Sequence, residues 1–181
     1  MISIHINGGE LYNEKTEEFI NIKEQTILLE HSLVSVAKWE SKWQKAFLGS
    51  SQKTREEVID YIRCMTITQN VNPLIYDLIP DKEIEKITKY IEDPMTATWF
   101  NDRPGSNKPS NEVVTAEIIY YWMISFNIPV EFQKWHLNRL LTLIKVCSIK
   151  NAPKEKMKRS EILNNNRALN NARKKALHTK G

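Results

Sequence analysis

Residues 112–149 constrain the fold most, because they concentrate the chain's largest apolar side chains. They hold Tyr120, Tyr121, Trp122, Phe126, Phe132 and Trp135, then Leu137, Leu140, Leu141, Leu143 and Ile144. The run is broken once, at Asn127-Ile128-Pro129. A proline lacks the N–H that a helix interior needs, and it suits a helix's first turn. The stretch therefore predicts two helices, over 112–126 and 130–149, packed on each other as the organising pair of the fold. The expected core draws on Leu33, Val36, Trp39, Ile59, Ile62, Ile87, Ile118, Trp122, Leu140 and Ile144.

The N-terminal forty residues have a different period. Ile2, Ile4 and Ile6 alternate with Ser3, His5 and Asn7, the signature of a half-buried strand. Asn7-Gly8-Gly9 signals a turn, and 19–22 and 26–29 supply two further candidate strands. Ser32 is placed to cap a helix starting near Leu33, on which Val36, Trp39, Trp43 and Phe47 share one face. That ladder reads as core packing or as a partner-binding patch anchored by Trp39 and Trp43, since closely spaced tryptophans anchor many interfaces. Thr54 with Glu57 has capping-box form and opens a helix carrying Val58, Ile59, Ile62 and Met65. Asn72-Pro73 and Asp81 mark two more helix starts, the second helix bearing Ile84, Ile87 and Ile91 and ending at Asp93-Pro94. Residues 95–100 read as extended and 101–111 as a long loop, with Ser110 or Asn111 capping the next helix. Asn151-Ala152-Pro153 closes the last core helix, and Ser160 is the expected cap of a final one.

These elements predict an α+β, mainly α-helical fold: a short N-terminal β-sheet followed by a helical bundle and a basic C-terminal helical arm. The expected division is a globular domain over 1–150 and an arm over 151–181. Charge supports that division. Of the formal net charge of +4, residues 151–181 contribute nine cations less two anions, or +7, which leaves 4 − 7 = −3 for residues 1–150. The arm combines Arg167, Arg173, Lys174 and Lys175 with Ile162, Leu163, Leu169 and Leu177. Its many asparagines are weak helix formers, so alone it would be marginal. Leu169, Arg173, Lys174 and Lys175 join Trp39 and Trp43 as candidate partner-binding residues. A purely electrostatic arm would bind nucleic acid non-specifically and with steep salt dependence. An apolar face points instead to docking on protein.

No apolar run reaches the roughly 18 residues of a membrane span, and residues 1–5 lack the pattern of a secretion signal. A cytosolic protein without membrane contact is expected. Cys64 and Cys147 sit in apolar surroundings and read as free thiols. With four histidines and no Cys-x-x-Cys pair, no metal or cofactor is expected. No phosphate-binding loop, nucleophile elbow or zinc-protease motif is present. His31 and His136 are conceivable general bases but read better as structural histidines. Glu117 or Glu131 is expected to face inward and pair with Arg139 or Lys134. No catalytic residue is assigned, and a non-enzymatic protein is expected.

Several phrases carry a family likeness: HSLVSVAKWESKW over 31–43, YIRCMT over 61–66, MTAT over 95–98, WHLNRLLTLI over 135–144, ALNNARKK over 168–175, and Thr179-Lys180-Gly181. From about residue 29 onward the chain resembles small virion-morphogenesis proteins of tailed bacteriophages, and among them tail assembly chaperones that bind the tape-measure protein. The resemblance implies a tail or virion assembly protein acting through protein contacts. Its partners would be tape-measure, tail or neck proteins, with homo-oligomers within its scope. It would work in the host cytoplasm during assembly. The alternatives are a head–tail connector or tail subunit retained in the virion, and a nucleic-acid binder using the basic arm.

Overall fold

In the computed structural model the described residues are 1–13, 17–49, 52–100, 113–152 and 159–177. The chain divides into two units, Met1–Ser148 and Ile149–Gly181. Four strands open it: β1 (Ile2–Ile6), β2 (Gly9–Asn13), β3 (Glu18–Ile22) and β4 (Gln25–Leu29). Among the described residues six α-helices follow: α1 (Leu33–Trp43), α2 (Arg55–Met65), α3 (Asp81–Glu92), α4 (Ala116–Ser125), α5 (Leu137–Asn151) and α6 (Arg159–Ala176). Two 3-10 segments, Pro73–Leu78 and Val130–Lys134, lie between them. The fold is α+β and mainly helical.

The strands make two separate antiparallel ladders, β1 with β4 and β2 with β3, rather than one sheet. Ile4 pairs with Ile27 and Ile2 with Leu29, which sends Ile4, Ile6, Ile27 and Leu29 into the core. The free edge of β4 is covered by the chain leaving α2. Glu30 N donates to Met65 O at 2.9 Å, and Ile67 N to Leu28 O at 2.8 Å. A covered edge cannot template pairing with another chain. Gly8 lies against the backbone leaving β3, where a Cβ would sit 2.4 Å from Ile22 O. No side chain fits there, and that explains the glycine at this turn.

The centre of the fold is α1, not the 112–149 pair. α1 packs on α2, α4 and the Val130–Lys134 segment. Ser32 caps it, accepting from Ser35 N at 3.3 Å. It stops at Trp43 because Gln44 takes a left-handed conformation, φ 53°. Phe47 is therefore off the helix, and it folds back so that its ring meets Trp39 edge-on at 5.3 Å. The expected four-residue ladder is real as a contact but is not a helical stripe beyond Trp43. Thr54 and Glu57 form both bonds of the capping box that starts α2. Asn72 caps the first 3-10 segment, and Asp81 is the first residue of α3. Residues 95–100 have no regular structure, and Met95 is left-handed.

The expected helix pair needs three corrections. First, α4 begins at Ala116 with Thr115 in the cap position, so the helix starts later than Ser110 or Asn111 would place it. Those two residues, with the expected loop at 101–111, lie outside the described residues. Second, α4 ends at Ser125, Asn127 is left-handed, and Pro129 leads into the 3-10 segment, so α5 starts only at Leu137. Third, α4 packs chiefly on α1. Between α4 and α5 lies an apolar groove of about 370 Å³ lined by Trp122, Phe126, Leu141 and Ile144.

Of the expected core, Leu33, Val36, Trp39, Ile62, Ile87, Leu140 and Ile144 are buried. Ile59 and Trp122 are half-buried. Ile118 is also only half-buried, and Ile119 takes the core position beside Ala116 and Met123. The phase of α4 is thus one residue off the expected one. Ile119→Val should cost about 1 kcal/mol, as for a buried methylene. Ile118→Val should cost less, about 0.5 kcal/mol, because that side chain is only half-buried. Urea unfolding of the two variants checks this, and equal costs would contradict the assigned phase.

Among its described residues the second unit offers the single helix α6 and the end of α5. α6 starts at Arg159, so Ser160 falls in its first turn instead of capping it. Residues 153–158 and 178–181, with Lys154, Lys156, Lys158 and Lys180, lie outside the described residues, and so do the side chains of 159–162, Ile162 included.

Candidate functional site

The seam between α1 and α2 is polar as well as aromatic. Trp39 is 1% exposed and donates its Nε1–H to Glu57 O at 2.9 Å, so it belongs to the core and not to an exposed patch. Trp43, one turn on, is half-buried and stacks on Trp39 at 6.1 Å between centroids. Its Nε1–H donates to Asp60 Oδ2 at 2.8 Å, and Lys42 bonds the other carboxylate oxygen. Burial pushes the Asp60 carboxyl up, but the Lys42 and Trp43 hydrogen bonds outweigh it and hold the group below its ordinary range. Glu57 is held low by Lys45 first, at 2.5 Å, and by the Thr54 N–H second. Lys42, Trp43, Arg55, Asp60, Arg63 and Asp77 line a cleft over this seam. Arg55 and Arg63 each lie 3.6 Å from a carboxylate, of Asp81 and Asp77. Glu56 lines it too, so three cations face three carboxylates around an indole edge and the cleft carries no net charge.

The second constellation is buried. His31 and His136, 105 positions apart, meet edge-on with ring centroids 5.0 Å apart. Burial raises the Tyr61 pKa well above its usual value, and its hydroxyl shares a hydrogen bond with His31 Nδ1 at 2.5 Å. His136 donates Nε2–H to Tyr90 O at 3.0 Å, and its buried Nδ1 has no partner among the described residues. Tyr90, its pKa raised chiefly by burial, donates to Glu30 Oε1 at 2.6 Å. His31 O accepts from Leu137 N at 2.8 Å. These bonds tie the β4–α1 turn to α2, α3 and the start of α5. Both rings are buried, His31 2% and His136 7% exposed, and the pair fastens these segments together.

Glu40 was not singled out by the sequence. Its side chain is buried, with Oε1 accepting from Phe47 N and Oε2 from Ala116 N, both at 2.7 Å. It thereby caps α4, whose Thr115 makes no side-chain cap bond. Glu117 and Glu131 are exposed and face no buried cation, and Arg139 stacks on Trp135 at 4.2 Å instead. Cys64 and Cys147 are free and half-buried, and burial raises the Cys64 thiol pKa.

No protein-family model, curated protein or solved structure matches this chain.

Among the described residues, apolar side chains face solvent on the β2–β3 hairpin (Tyr12 53% and Phe19 72% exposed), at Trp99 (79%), and on the helices α4 and α6. α4 is apolar apart from Glu117 and Ser125, yet on the same face as those two Tyr121 and Ile124 are 66% and 75% exposed. A helix apolar nearly all round is normally covered nearly all round. On α6, Leu163, Leu169 and Leu177 beside it are exposed among Arg167, Arg173, Lys174 and Lys175. Of the candidate partner-binding residues, Leu169, Arg173, Lys174 and Lys175 share this exposed helix. Trp39 and Trp43 are in the other unit, one buried and one half-buried. No helix among the described residues is long and apolar enough to cross a membrane.

Proposed function

We propose that the chain is a non-enzymatic assembly protein that acts through protein–protein contacts in building the tail or virion of a tailed bacteriophage. The phage role rests on the resemblance of 31–43, 135–144 and 168–175 to such proteins. What supports the contact role is that two helices, α4 and α6, present apolar side chains outward. Buried against a partner, each large aliphatic side chain could add roughly 1.5–3 kcal/mol. The basic residues of α6 would steer an acidic partner and set register.

Co-expression with phage tape-measure, tail and neck proteins, followed by pull-down, tests this function. The expected result is retention of a tail protein, lost in Leu169→Asp and little changed by salt, since apolar burial is not screened as charges are. Retention of a neck protein alone would favour a connector, and a fixed copy number in purified virions would favour a structural subunit over a chaperone. If only Arg173→Glu with Lys174→Glu changes binding, and duplex DNA is bound and released by salt, α6 is a nucleic-acid arm.

A further inference from the structure

We propose that the chain associates with itself head to tail, α6 of one copy seating on the outer face of α4 of the next. This rests on the protein-contact reading above and names the partner as a second copy. The two surfaces are complementary and belong to the same sequence. Residues 163–177 carry Arg167, Arg173, Lys174 and Lys175 and no carboxylate, whereas residues 1–150 carry a net −3. The one charged side chain of α4 is Glu117, one helical turn before exposed Tyr121. Val113 and Val130, just before and after α4, are exposed as well, at 59% and 58%. An 18-residue helix spans about 27 Å, long enough to cover all of α4 and reach past it. Its asparagines, Asn164, Asn165, Asn166, Asn170 and Asn171, make it a poor helix alone, so its order needs an apolar face to be buried. Each side of such a contact uses a different surface. One pair therefore leaves a free α6 and a free α4 face, and growth continues to a ring or a filament.

Light scattering of the full chain over a concentration series tests the proposal. The wild type should exceed the 21.2 kDa of one chain, with mass rising with concentration. Leu169→Asp and Ile124→Asp should each raise the dissociation constant at least tenfold and run as single chains, with helical content by circular dichroism unchanged. Tyr121→Asp replaces Ile124→Asp if that variant loses helix. Mixing the two variants is the decisive arm. One retains the α4 face and the other retains α6, so the mixture should form a complex of two chains that grows no further. A wild type that stays a single chain at all concentrations overturns the proposal, even if a Leu169-dependent phage partner is retained in pull-down. Variants that remain single chains when mixed overturn it too, because association would then use other surfaces.

Discussion

Lowering the pH from 6.5 to about 4.5 is expected to destabilise the N-terminal unit by about 2–3 kcal/mol, or about 1.4 kcal/mol per pH unit. The cause is His31. Burial first, and the neighbouring His136 second, lower its pKa from 6.5 to about 3. The unfolded chain takes up that proton near pH 6.5, while the folded protein refuses it until about pH 3. Between those values the unfolded state binds more protons, so stability rises with pH and is lost as pH falls. The contribution is complete above pH 6.5. Asp60 and Glu57 are also held low, but their contribution fades only below the ordinary carboxylate range, about pH 4. The interval from 6.5 to about 4.5 therefore isolates the histidine. Urea titrations across it should give a steep slope for wild type and a shallower one for His31→Gln, which keeps a polar group for the Tyr61 hydroxyl. Equal slopes would show that His31 is not the group responsible.

What the sequence made legible was local. Ser32 and Thr54 declare their helices because a cap is satisfied within three residues of itself. The strand at 2–6 shows its alternation because one of its faces is buried and the other is not. β2 escaped notice because Glu10, Leu11 and Tyr12 are half-buried at most, which leaves no clean alternation. The phase of α4 was misread by one residue for a related reason. Apart from Glu117 and Ser125 its side chains are apolar, so hydrophobicity carries little direction, and Ile118 and Ile119 look alike. The same uniformity that hid the inward face is what leaves Tyr121 and Ile124 unexplained on the outward one. Phe47 fits a spacing of four from Trp43, but a left-handed glutamine ends the helix between them, and glutamine does not advertise that conformation as glycine would. The meeting of His31 with His136 joins the start of α1 to the start of α5, and nothing in either neighbourhood marks it.

The other large effect concerns Glu40. Truncation to alanine should destabilise the N-terminal unit by about 3–5 kcal/mol, because two N–H groups lose their acceptor and each unpaired buried donor costs about 1–3 kcal/mol. Phe47 and Ala116 are 8% and 1% exposed, so water does not readily replace the carboxylate. One of those donors is the first N–H of α4, where the helix dipole favours a negative charge. The other fixes the turn that returns Phe47 to Trp39. The carboxylate thus joins α1 to the Phe47 turn and to the start of α4, and its loss should loosen them together. Glu40→Gln separates charge from shape. Its amide keeps one accepting oxygen, turns an N–H towards the second donor, and should cost about 2 kcal/mol. Urea unfolding ranks the three proteins, and hydrogen exchange at Ala116 and Phe47 reports where the loss falls. Exchange at both sites should accelerate in the alanine variant. In the glutamine variant one site should stay protected and the other open, since a single oxygen can serve only one N–H well. If both variants lose less than about 1 kcal/mol and both amides stay protected, the carboxylate is dispensable and α4 owes its start to packing of Ala116 and Ile119 alone.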